Sequence, residues 1–173
     1  MLFTITSRIR LLYKEMSMMK DKQVNTSDTS AKTLFMFGYD ITNRPSKEEL
    51  AAYCEFLNSS TSVLNEFGIH IGTNGYSYLI EAFKIVIDRE RYDVRMKSDI
   101  YPLIAVKHGL RRFDPIEHSI RNAINSAYED NLKNPGCNRM WIFPKKPTNK
   151  NFIIYAADEV YKKMCRSMIN SVS

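Results

Sequence analysis

Residues 114–121 read Asp-Pro-Ile-Glu-His-Ser-Ile-Arg, a spelling with few structural solutions. Asp is a favoured N-cap, Pro has the fixed φ of a first helical position, and a Glu two residues later suits the positive end of the helix. The pattern predicts Asp114 as the N-cap, Pro115 as the first helical residue and Glu117 as the third. Ile116, Ile120, Ala123, Ile124, Ala127 and Tyr128 then form an apolar stripe, which carries the helix to about residue 130. A shorter helix is expected just before it, over 98–108, with Ile100, Leu103, Ile104 and Val106 inward. Pro102 is tolerated there because it falls in the first turn, and Gly109 ends the helix. Two such helices joined through a glycine-containing turn, His108–Phe113, make a helix-turn-helix unit. Neither can bury its stripe alone. The expected fold is therefore all-α, a compact multi-helix domain built around that unit.

The remaining segments supply the partners. Residues 75–87 predict a helix with Tyr78, Leu79, Ala82, Phe83 and Val86 on one side, and residues 61–67 a short helix stopped by Gly68. Ser46 and Glu49 have the spacing of a capping box, opening a helix to about Leu57 that buries Leu50, Tyr53, Cys54 and Leu57. Thr148 or Asn149 caps a last helix, with Phe152, Ile153, Ala156, Val160 and Met164 inward. Residues 131–147 are rich in Asn, Pro and Lys and read as a loop carrying a short hairpin arm around Met140–Phe143.

The N-terminal third differs. In residues 1–20, Leu2, Ile5, Ile9, Leu12, Met16 and Met19 alternate spacings of three and four, which suits either pairing of two chains or packing within one. Met16, Met18 or Met19 is an alternative start. Residues 21–33 are a polar linker, and residues 34–41 a short strand or a docked extended segment. Residues 1–60 are accordingly read as an N-terminal region and 61–173 as the helix-turn-helix domain.

Charge narrows the function classes. The net charge is +6, and residues 98–150 hold nine basic and five acidic side chains, so two thirds of the excess lies there. That distribution suits a polyanionic partner. Three scattered cysteines offer neither a disulfide framework nor a C-x-x-C zinc pair. His70, His108 and His118 stand far apart, and Gly68, Gly72 and Gly75 fit neither a P-loop nor a dinucleotide fingerprint. No catalytic residue, metal or cofactor is expected. No apolar run approaches the ~20 residues of a membrane span, and MLFTITSRIR is not a convincing signal peptide, so the expected compartment is the cytoplasm.

The polar face of the 115–130 helix carries Glu117, His118, Arg121, Asn122 and Asn125, with Glu117, Arg121 and Asn125 four apart on one line. These side chains match base edges: Arg with guanine, Asn with adenine, Glu with cytosine. Arg111 and Arg112 before the helix, and Lys145, Lys146 and Lys150 after it, are candidate phosphate contacts. The expected partner is double-stranded DNA.

Four blocks extend this reading. LNEFGIHIGTNGYSYLIEAF (64–83), DIYPLIAVKHG (99–109), IEHSIRNAINSAYE (116–129) and KPTNKNFIIYAADEVYKKM (146–164) together resemble the C-terminal DNA-binding effector domain of the stage-zero sporulation A family, the sporulation master response regulators. The resemblance implies an all-helical domain binding a short box like TGTCGAA to activate or repress promoters, in sporulation control. By position it makes 115–129 the recognition helix, Glu117 the acidic base-contacting residue and Arg121 the arginine one turn on. Where the family carries base-reading arginines at the helix start, this chain has Pro115 and His118. Its turn before the helix is about one residue longer. Its loop from Asn131 to Lys145, in the region the family uses on the RNA polymerase sigma subunit, is shorter. About 60 residues precede the block without an alternating βα pattern, too few for a phosphoaccepting receiver domain. The expectation is a receiver-less, sequence-specific transcription regulator, with residues 1–20 as a homodimerising element. The rival is an interaction protein or antagonist that pairs with a full-length regulator or with RNA polymerase and does not read DNA.

Overall fold

A computed structural model describes residues 46–89, 93–134 and 141–170. The expectations for residues 1–20, 21–33 and 34–41 lie outside them. The chain divides into two compact units, Met1–Glu55 and Phe56–Ser173.

Among the described residues five α-helices follow one another, and there is no strand: α1 (Lys47–Glu66), α2 (Asn74–Arg89), α3 (Tyr101–Lys107), α4 (Asp114–Lys133) and α5 (Asn149–Asn170). The capping box forms as spelled. The Ser46 backbone N–H donates to Glu49 Oε2 (2.7 Å), and the Glu49 N–H to Ser46 Oγ (3.1 Å). The helix it opens does not stop at Leu57. It runs on through the polar stretch 58–62 and absorbs the separate helix expected at 61–67. Asn, Ser and Thr favour turns but do not forbid helix, and Ser59 and Ser60 are buried on its inner face. That face is Phe56, Ser59, Ser60, Val63, Leu64 and Phe67. Leu50 and Cys54, expected inside, are exposed, and Tyr53 and Leu57 are half-buried, because the true stripe runs along another line of the helix.

Gly68 (φ 73°) ends α1 in a Schellman motif: the Ile69 N–H donates to Leu64 O and the Gly68 N–H to Asn65 O, both at 2.9 Å. Thr73 then caps α2, its Oγ1 accepting from the Tyr76 N–H at 3.2 Å. The expected inward residues of α2 are all buried, with Gly75 and Tyr76 besides, and the helix packs on α3, α4 and α5. Gly75 is more than punctuation. A Cβ there would run into the Ser119 carbonyl oxygen and meet the Ala123 Cβ at 2.8 Å, so its bare backbone sets how closely α2 approaches α4.

The helix expected over 98–108 is in two parts. Met96–Ile100 forms one wide π turn, in which the Tyr101 N–H reaches Met96 O, and this leads straight into α3. Pro102 has no N–H for the carbonyl four residues back, which favours the wider turn before it. Ile100 and Ile104 are buried as expected. Leu103 and Val106 are exposed instead, and Tyr101 and Ala105 take the inward places, because the stripe follows 100, 101, 104 and 105.

Residues 141–148 form no strand, and so no hairpin arm among the described residues. Trp141 pins this segment to the core. Its indole Nε1 donates to Phe67 O (3.0 Å), and its ring meets Phe67, Tyr128, Phe143 and Phe152 at centroid distances of 5.2–6.3 Å. Thr148 caps α5 through the Asn151 N–H (3.2 Å), and all five expected inward residues of α5 are buried, with Ala157 beside them.

Candidate nucleic-acid interface

The helix-turn-helix unit is α3, the turn 108–113 and α4. Gly109 (φ 65°) gives its first helix a second Schellman ending, with the Leu110 N–H on Ala105 O (2.9 Å) and the Gly109 N–H on Val106 O (3.1 Å). Glu81 of α2 fixes the same corner. Its Oε1 lies 2.9 Å from His108 Nε2 and 3.1 Å from Lys107 Nζ, while the His108 ring meets Tyr78 edge-on at 5.0 Å.

The start of α4 differs by one residue from the sequence reading. Phe113 holds the N-cap position and makes no side-chain cap bond, while Asp114 is the first helical residue. The Asp114 carboxylate is taken instead by Arg112 Nε at 2.8 Å. Arg112, expected on phosphate, is an exposed guanidinium in that pair. Ile116, Ile120, Ile124 and Ala127 are buried, with Ala123 and Tyr128 half-buried beside them.

On the opposite side His118, Arg121 and Asn122 are exposed, and Glu117 and Asn125 partly so. Arg121 Nη2 donates to Glu117 Oε1 at 2.8 Å, an i, i+4 ion pair with the carboxylate 22% and the guanidinium 53% exposed. Such a pair contributes only about 0.3–0.5 kcal/mol, so it orients Arg121 without locking it. His118, Asn122 and Asn125 have no partner among the described residues. From Glu117 to Asn125 the line runs about 12 Å along the helix axis at 1.5 Å per residue, and it is the ~10–12 Å helix diameter that suits the ~12 Å width of a DNA major groove.

Lys150 lies exposed in the first turn of α5, directly after Asn149, whose amide donates to the Glu117 carbonyl at 3.1 Å. The start of α5 is thus joined to the first turn of α4. Lys145 and Lys146 are exposed in the approach to α5, and Arg111 in the turn. None of these four cations has a partner among the described residues.

Asn149 joins the start of α5 to α4 beneath the face, and Glu81 holds the corner of the unit at Lys107 and His108. The sequence offers Asn149 only as a cap candidate and gives Tyr101 and Glu81 no role. Asn149 Nδ2 also donates to the Tyr101 hydroxyl at 3.0 Å. Burial pushes the Tyr101 phenol above its ordinary pKa, the Asn149 bond opposes that, and the Glu117 charge adds to it. The only available signal was a polar residue within the K-P-T-N run at a helix start. No cluster of three His, Cys, Asp or Glu among the described residues is placed to hold a metal ion, and no described helix is long and apolar enough to cross a membrane.

An all-helical domain whose second helix-turn-helix member turns an exposed Arg, His and Asn face outward belongs to the class of helix-turn-helix effector domains. Within that class the chain belongs to the family described as the sporulation initiation factor Spo0A C terminal, whose family model matches residues 60–160. That family comprises DNA-binding regulatory domains of sporulation response regulators and is not a family of enzymes.

Proposed function

We propose that the chain is a sequence-specific transcription regulator that lays the exposed face of α4 in the major groove of duplex DNA. The observation that carries this is the group His118, Asn122 and Asn125, unpartnered among the described residues, beside an Arg121 held only by a half-exposed ion pair. Arg121 reads guanine, and Asn122 and Asn125 suit adenine. Glu117 either accepts from cytosine or stays as the brace of Arg121. Arg111, Lys145, Lys146 and Lys150 fix register on phosphates, and Arg112 joins them by exchanging its exposed pair with Asp114 for a phosphate. The compartment this implies is the cytoplasm.

Pro115 offers no donor, and His118 lacks the planar fork of Arg. The preferred box is therefore related to the family's but altered or more degenerate at the bases those positions face.

The test is a selection from a random duplex pool, followed by titration of the selected and a scrambled duplex at the same salt. Preference for the selected duplex by about 10³-fold or more is expected. Equal, steeply salt-dependent binding of both would refute the reading and favour the non-reading antagonist.

A further inference from the structure

Asn149 is only 8% exposed, and a buried side-chain amide is costly unless its donors are used. Both hydrogens of Nδ2 are used: one meets the Tyr101 hydroxyl at 3.0 Å and the other the Glu117 carbonyl at 3.1 Å. The three residues come from α5, α3 and α4. They are the start of the helix carrying Lys150, the first helix of the helix-turn-helix unit, and the helix with the polar face. The Glu117 carbonyl is also the regular i−4 acceptor of the Arg121 backbone N–H. Asn149 therefore grips α4 at the turn from which Arg121 projects.

That grip adds a directional contact to the packing of α4. Apolar contacts such as Ile116 and Ile120 set which side of α4 faces inward, but each tolerates small rolls, because hydrophobic burial is non-directional. A hydrogen bond to one carbonyl fixes an angle. A roll of roughly 20° about an axis ~6 Å from the helix surface moves surface groups by about 2 Å, enough to break a base contact.

We propose that Asn149 is a positioning residue for duplex reading. It touches no base and sets the rotation of the N-terminal half of α4 through the Glu117 carbonyl. The inference rests on the proposed reading of DNA by α4 and adds the buried group that aims it.

Three variants separate its two bonds. Asn149→Asp keeps the size and an acceptor for the Tyr101 hydroxyl, but has no hydrogen for the Glu117 carbonyl. Asn149→Ala removes both bonds without adding charge. Tyr101→Phe removes only the α3 bond. In folded protein, both Asn149 variants should lower the selected-over-scrambled affinity ratio by about tenfold, within the range of one lost base contact. Tyr101→Phe should leave it within about twofold, since the grip on Glu117 survives.

Amide hydrogen exchange on the DNA-free chain supplies the second readout. The Arg121 amide should exchange faster in both Asn149 variants, while the amides of Val160 and Met164 in α5 stay as they were. An unchanged ratio, an equal loss on both duplexes, or a loss in Tyr101→Phe as large as in Asn149→Ala would each overturn the proposal. If the native chain itself shows no duplex preference, it is the reading of function that falls. The exchange measurement then judges the grip alone, and an unaltered Arg121 amide in Asn149→Ala overturns it.

Discussion

Replacing Gly75 by Ala should destabilise the domain even though Ala is the better helix former. The substitution adds one methyl group on the face of α2 that meets α4. That methyl would run into the Ser119 carbonyl oxygen and lie 2.8 Å from the Ala123 Cβ. Neither is the far end of a flexible side chain, so relief requires the two backbones to separate. Overpacking of this kind costs about 1–3 kcal/mol. The gain in helix propensity is at most ~1 kcal/mol and is smaller in a first turn, where Gly75 stands. The net loss should be about 1–2 kcal/mol, or roughly 2–8 °C in Tm for a domain of this size. Urea titration followed by circular dichroism measures it as a lower midpoint at unchanged slope. A Gly75→Ala variant as stable as the native chain would show that the approach of α2 to α4 is not set by this glycine. The geometric account of how α4 is seated would then be wrong.

Trp141 is the sole tryptophan, so its fluorescence reports the cluster of Phe67, Tyr128, Phe143 and Phe152 directly. Trp141→Phe, which removes the donor to the Phe67 carbonyl, should cost about 1 kcal/mol or more in denaturant unfolding, and a neutral result would contradict the role of that bond. Alkaline pH should weaken the fold in part through Tyr101, because burial raises its folded-state pKa above the unfolded value of about 10. That contribution is complete below pH ~10 and is lost as pH rises through the raised pKa, with Tyr155 shifted the same way. Tyr101→Phe should flatten the fall in urea midpoint above about pH 10, and an identical slope would count against the shift. Lys145→Ala and Lys146→Ala should each weaken selected and scrambled duplexes alike and lower the salt slope by about one, and a loss confined to one sequence would make them base contacts.

The helix-turn-helix unit was legible because its signals are local. Pro102 and Pro115 near helix starts, Gly109 at a positive φ and the stripe through Ile116, Ile120 and Ile124 need no knowledge of distant residues. Two kinds of feature were not. The stretch 58–62 reads as a break by propensity, yet burial of Phe56 before it and of Val63 and Leu64 after it keeps it helical, an override by tertiary packing. Leu103 and Val106 fit a loose apolar stripe, but the large Tyr101 decides which line of a seven-residue helix faces in. Within the site, the polar face itself could be read from spacing. Its pairings could not: Arg112 on Asp114 replaces the expected cap, and Asn149 reaches Glu117 across 32 positions of sequence.

In the proposed function α4 reads bases and Arg121 is its main reader. The most direct measurement is a binding series in which each base pair of the selected duplex is varied in turn, for the native chain, Arg121→Lys and Arg121→Ala. Lys keeps the charge and loses the planar fork. Both variants should therefore lose about 1–3 kcal/mol of discrimination at the same single base pair and keep the native profile elsewhere. If Arg121→Lys instead keeps the full native profile while Arg121→Ala binds every duplex more weakly by the same factor, Arg121 is a phosphate contact, and the account of α4 as the reading helix is contradicted.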